Sequence, residues 1–129
     1  MGMAAVGRLS HLVVDCADAD RLGEFWSAAL GVEVAARWHQ YVMLTPTVEG
    51  GPAMAFQEVP EPKQGKNRVH VDLEVPDLDG ASAQVEALGG SVIQDHEQDG
   101  VHIRVVADPE GNELCLVVKL APLTRRRRT

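Results

Sequence analysis

Residues His11–Val34 read HLVVDCADADRLGEFWSAALGVEV, and residues His70–Ile93 read HVDLEVPDLDGASAQVEALGGSVI. With an offset of 59, His11 falls on His70, Asp18 on Asp77, Asp20 on Asp79, Ala28 on Ala87, Gly31 on Gly90 and Val34 on Ile93. Apolar character also matches at Leu12/Val71, Val14/Leu73 and Cys16/Val75. A shared order of strand, Asp, helix, Gly and strand points to an internal duplication.

Each copy carries the same local chemistry. His11–Cys16 alternates and is rich in β-branched residues, as a half-buried strand does. Asp18 suits a helix N-cap, whose carboxylate accepts from the free N–H groups of the first turn. Leu22, Phe25, Trp26 and Ala29 then recur at helical spacing and form one apolar face, so both aromatics read as core. Gly31 stands where a left-handed residue ends a helix. Three strands follow, at 32–38, 41–45 and 53–59, with Gly50-Gly51-Pro52 breaking the chain before the last. The second copy predicts a strand over 69–75, an N-cap at Asp77, and a helix with Leu78, Ala81, Val85 and Leu88 on one face. Gly89-Gly90 stops that helix, and strands follow at 91–94, 102–107 and 114–119. Asp108–Asn112 is turn chemistry. Residues 60–67, with two prolines, two lysines and a glycine, read as the linker. The expected fold is α+β, a tandem pair of βαβββ modules spanning 9–59 and 68–119 within one domain of residues 1–124.

Composition agrees with that size. A chain of 129 residues, 45% hydrophobic and 24% charged, is ordinary for one globular domain. No apolar run approaches the ~20 residues needed to span a bilayer. The first ten residues lack the apolar segment of a secretion signal, and Cys16 and Cys115 make no disulfide framework, so a reducing cytoplasm is the expected compartment. The net charge is −7, and without Arg125–Arg128 the remaining body carries −11. Such a body repels phosphate backbones, which argues against nucleic-acid partners. Residues 125–129 read as a basic disordered tail.

Strand alternation assigns faces. Leu12, Val14 and Cys16 take the helix side of the first strand, leaving His11, Val13 and Asp15 opposite. Val71, Leu73 and Val75 take the helix side of the fifth, leaving His70, Asp72 and Glu74 opposite. Gln57 opposes Met54 and Phe56. Glu113 and Cys115 oppose Leu114 and Leu116. In the seventh strand Ile103, Val105 and Ala107 form the apolar set, and His102 and Arg104 the polar one. A polar face away from the helices thus collects His11, Gln57, His70, Asp72, Glu113 and Cys115, with His102 and Arg104 as further candidates, and is a candidate site. Trp38 and Tyr41 flank a turn and can close over a ligand or cover a sheet edge. Arg104 can receive an anionic substrate or enter a cross-strand salt bridge. His39 and His96 read as solvated turn residues.

These features together resemble the vicinal oxygen chelate superfamily, which holds glyoxalase I, extradiol dioxygenases and bleomycin or fosfomycin resistance proteins. A strand-start His followed seven residues later by Asp occurs twice, at His11/Asp18 and His70/Asp77. The resemblance also rests on FW-x3-LG at Phe25–Gly31 and DPEGNELCLV at Asp108–Val117, and is nearest to a bacterial glyoxalase-like subgroup. It covers about Leu9 to Val118. It implies pseudo-twofold symmetry, with curled mixed sheets around a crevice, and a homodimer. It also implies metal ligands at His11, Gln57, His70 and Cys115. The superfamily's metalloenzymes carry Glu where this chain has Cys115, and a thiolate prefers zinc to the Mn²⁺, Ni²⁺ or Fe²⁺ often used. Glu113 lies on the same face, roughly 6.6 Å along the strand.

Two functions follow as expectations. In one, a divalent metal polarises vicinal oxygens of a small substrate in a lyase, isomerase or dioxygenase-like reaction, while Asp72 or Glu113 moves a proton. In the other, the crevice sequesters a hydrophobic or aromatic natural product without metal, as resistance proteins do. Glyoxalase I activity itself is not expected, because the ligand set differs and no thiol-cofactor pocket is identifiable.

Overall fold

The computed structural model describes residues 5–98 and 101–118. In chain order these hold β1 (His11–Cys16), α1 (Ala19–Leu30), β2 (Val34–Trp38), β3 (Tyr41–Leu44), β4 (Ala53–Glu58), β5 (Val71–Val75), α2 (Leu78–Ala87), β6 (Ser91–Gln98), β7 (Val101–Ala107) and β8 (Glu113–Val118). The chain divides into two compact units between Gln64 and Gly65, inside the expected linker. Each unit is one βαβββ module with a four-stranded mixed sheet, of order β1-β4-β3-β2 in the first and β5-β8-β7-β6 in the second. The first and last strands of each module pair in parallel, and the other pairings are antiparallel. The proposed basic tail, and Lys119, lie outside the described residues.

The caps are those the sequence predicts. Asp18 accepts from the Arg21 N–H at 3.0 Å, and Asp77 from the Gly80 N–H at 2.8 Å. Gly31, at φ 70°, ends α1 with its N–H donating to the Ser27 carbonyl. In this left-handed conformation most side chains clash and glycine does not. The duplication also shows in the backbone. Register shifts fall between Val34 and Ala36 in β2 and between Val92 and Gln94 in β6, equivalent places in the two modules.

In the first unit α1 lays Leu22, Phe25 and Trp26 on the sheet. Trp26, only 3% exposed, stacks on fully buried Phe56 of β4, with ring centroids 6.5 Å apart. Val42 and Leu44 of β3 complete this layer. Each of these large side chains contributes roughly 1.5–3 kcal/mol by leaving water. In the second unit α2 buries Leu78, Ala81, Ser82 and Val85, and the sheet buries Val106, Leu114 and Leu116. Leu88, expected on the α2 face, is instead its partly exposed cap residue.

Two strand readings change. The sixth strand runs to Gln98 rather than Gln94, so His96 is paired with Ile103 in β6 and is not a turn residue. Polar Asp95–Gln98 resembles a loop in sequence, but Arg104 lies directly opposite Asp95 and complements its charge. In β7 the helix-facing set is Arg104 and Val106, not Ile103, Val105 and Ala107. Arg104 reaches Asp79 and Ser82 of α2, and Val106 pairs with buried Leu114. Val105-Val106-Ala107 is apolar on both faces, so hydrophobicity alone cannot assign it, and an arginine stem tolerates burial when its head is paired.

The tightest approach in the first core is at Gly23, where an added Cβ would lie 2.8 Å from Cγ1 of Val42. Gly23→Ala should therefore destabilise the protein by about 1 kcal/mol, since overpacking outweighs the gain in helix propensity. Chemical denaturation reads this, and Val42→Ala in the same chain should recover most of the loss attributable to overpacking.

Candidate functional site

The Trp26–Phe56 contact sets the faces of the first sheet. Register then turns Ala36 and Trp38 of β2, Tyr41 and Met43 of β3, Ala55 and Gln57 of β4, and His11 of β1 away from α1. On this face lies an open hollow of about 510 Å³, lined by His11, Ala36, Trp38, Tyr41, Met43 and Gln57 together with the turn residues His39 and Gln40. That volume is within the range of small-molecule sites. Trp38 is 65% exposed and meets Tyr41 edge to face, with centroids 6.4 Å apart. His39 has φ 54°, an uncommon conformation for a residue with a Cβ. His11 Nδ1 lies 2.9 Å from the Ser10 hydroxyl, which leaves Nε2 for a ligand.

The open face of the second sheet carries a different chemistry. Asp72 pairs with Cys115 across β5 and β8, and His70 stands just before β5 on the same side. Donor atoms of His70, Asp72 and Cys115 all lie within 4.8 Å of one another, and His70 Nδ1 is 3.7 Å from Asp72 Oδ1. Burial pushes the Cys115 thiol up, and the neighbouring Asp72 carboxylate adds to the effect. The thiol is therefore held protonated in the absence of a cation. Glu113 lies two residues before Cys115, paired with Ala107 at the start of β8.

Each unit carries two residues of the expected metal set. His11 and Gln57 line the hollow of the first unit, while His70 and Cys115 meet in the second and gain the Asp72 carboxylate. Trp38 and Tyr41 also line the hollow. His102 and Arg104 do not join either set. Arg104, with its side chain 15% exposed, donates to Asp95 at 2.7 Å and to Asp79 at 2.9 Å, and His102 Nε2 lies 3.2 Å from Asp95. Of the two readings open for Arg104, the structure shows the cross-strand salt bridge. Sequence reasoning missed Ala36, His39, Gln40 and Met43. Alternation around the 38–41 turn carried the signal for Ala36 and Met43, whereas His39 and Gln40 enter only through the closure of the hairpin.

The Arg104 hydrogen bond holds the Asp95 carboxyl below its usual value of 3.8. A depressed carboxylate stabilises the fold above its unfolded pKa and stops doing so as pH falls through the folded one. Arg104→Met should therefore lower the thermal midpoint at neutral pH. The gap from wild type should close as pH is lowered through and below 3.8, which thermal scans across pH 2–7 would show.

The sequence profile of the glyoxalase-like domain family matches residues 11–117. No curated protein matches the chain. Among solved structures, a glyoxalase/bleomycin resistance protein/dioxygenase family enzyme from Burkholderia phytofirmans PsJN has a TM-score of 0.73 at 18% identity, over 88% of this chain and 100% of that one. A glyoxalase/bleomycin resistance protein/dioxygenase from Nocardioides has a TM-score of 0.69 at 16% identity, over 93% and 88%. The oxidase ChaP-H2 has a TM-score of 0.66 at 16% identity, over 92% and 98%. At these identities the likeness is one of fold.

Proposed function

Because the chain belongs to the glyoxalase-like domain family, we propose that it handles a small organic molecule and that its second unit holds a divalent ion on His70, Asp72 and Cys115. The observation that carries the metal reading is the convergence of an imidazole, a carboxylate and a thiol within 4.8 Å. This donor set fits a borderline ion. Neutral imidazole and thiolate favour zinc over Mn²⁺, and the carboxylate supplies the anionic charge that His11 and Gln57 lack. His70 and Asp72 are exposed and free of core packing, so their side chains can contract onto an ion. Three protein ligands leave a fourth position open, the pattern of a catalytic rather than a structural site. A bound ion would supply Lewis acidity toward vicinal oxygens of a substrate. Glu113, on the same strand face as Cys115, would carry a proton. His11 and Gln57, which the resemblance casts as the other ligand pair, line the hollow of the first unit.

The hollow of the first unit favours a second reading, in which the protein binds its small molecule without chemistry. Metal titration separates the two. Metal-free protein should take up one zinc ion per chain. Cys115→Ser and Asp72→Asn should each weaken uptake by about tenfold or more, whereas His96→Ala should leave it unchanged. With cobalt in place of zinc, a thiolate charge-transfer band should appear and vanish in Cys115→Ser. If Zn²⁺, Mn²⁺ and Ni²⁺ all fail to bind at neutral pH, the metal reading falls and the binding reading stands.

The proposal includes a homodimer, as the resemblance implies. None of the described helices is long and apolar enough to cross a membrane. Light scattering should report twice the chain mass, and a monomer at high concentration would refute the dimer.

A further inference from the structure

The hollow of the first unit differs from the donor set of the second in having no carboxylate, ammonium or guanidinium in its wall. Its side chains are two imidazoles, two carboxamides, an indole, a phenol, a thioether and a methyl group, with no Asp, Glu, Lys or Arg among them. This is unusual for a chain with 24% charged residues and net charge −7. An ionic ligand entering such a hollow would lose hydration and find no carboxylate, ammonium or guanidinium to pair with. An anion would also meet the repulsion of the acidic body. Asp15, across from Gln57 in register, lies beside the hollow and not in its wall.

The aromatic pair indicates the shape of the occupant. Trp38 and Tyr41 stand at 86° to one another and form a corner that offers a ligand one ring face and one ring edge. A planar aromatic system can stack on the first and meet the second edge to face. The amides and imidazoles at the remaining walls can donate to and accept from substituents on that ring. His39 adds a separate observation. Its φ of 54° is one that glycine adopts without strain, and a bulky residue held there is a reason to look for a function in its side chain. His39 is one of the residues lining the hollow.

We propose that the hollow binds an uncharged, planar aromatic molecule with hydrogen-bonding substituents, gripped by Trp38 and Tyr41 and contacted by His39. This deepens the small-molecule part of the function proposed above and is independent of the metal.

Three naphthalenes of one size test it by calorimetry on the full chain: 2-naphthalenemethanol, 2-naphthoate and 2-naphthylmethylammonium. The neutral alcohol should bind about tenfold or more tightly than either ion, since only it avoids unpaired burial of charge. Trp38→Ala, at an exposed position, should weaken the alcohol by about tenfold through loss of stacking. His39→Gly removes the imidazole while suiting the backbone, so it should keep or raise the thermal midpoint and still weaken binding. The proposal is overturned if an ion binds as tightly as the alcohol, if none of the three binds, or if Trp38→Ala binds as wild type does. Unchanged affinity in His39→Gly overturns the role of His39. Zinc uptake is read in its own titration, so failure here and failure of the metal reading are distinguishable.

Discussion

The stacking of Trp26 on Phe56 is the contact on which the first unit's organisation depends. Side chains alternate across a strand, so fixing one residue of β4 against α1 fixes the facing of all its neighbours in register. Phe56 inward requires Ala55 and Gln57 outward, and pairing carries the same assignment to Tyr41, Met43 and His11. One helix covers one face of a four-stranded sheet. The other face mixes apolar Val13, Ala36, Met43 and Ala55 with polar His11 and Gln57, and there the hollow forms.

The second unit solves the same packing problem with less apolar surface. Its helix is shorter and carries no aromatic residue, and its buried face includes Ser82, whose hydroxyl donates to the Leu78 carbonyl at 2.7 Å. Charge makes up part of the difference. Arg104 joins α2, β6 and β7 through Asp79, Ser82 and Asp95. The first unit has a simpler version, in which Arg37 of β2 bonds Asp20 of α1 at 2.9 Å. Asp20 and Asp79 are equivalent in the duplication. Each carboxylate in a helix's first turn also suits the positive end of the helix dipole, so one residue serves the cap region and the helix–sheet contact together.

The two open faces have diverged further than the two cores. The first has kept its strand-start histidine beside neutral amides and added a Trp/Tyr corner. The second has kept its histidine beside Asp72 and Cys115. A duplicated module needs its hydrophobic pattern to fold, and that pattern constrains only the inward residues. The outward residues were free to become a hollow without acidic, lysine or arginine side chains in one copy and a His/Asp/Cys cluster in the other.

The module plan was legible in the sequence because it rests on local chemistry. Period-two strands, Asp caps, a Gly stop at Gly31 and the 59-residue offset need no tertiary information. His11, Gln57, His70, Asp72 and Cys115 were also placed on the correct faces, since each alternates with clearly apolar neighbours. The reading failed in β7, where three consecutive apolar residues erase the alternation and only the ion pairs of Arg104 reveal which side meets α2. It failed at Asp95–Gln98, where strand polarity is compensated by partners on another strand. That Asp72 lies directly opposite Cys115 came only from the pairing of β5 with β8. His39 entered the hollow through a left-handed turn conformation that no hydrophobic pattern encodes. Local propensity and periodicity thus decided the elements and most facings. Strand register, ion pairing and turn geometry, which join residues distant in the chain, decided which side chains share a site.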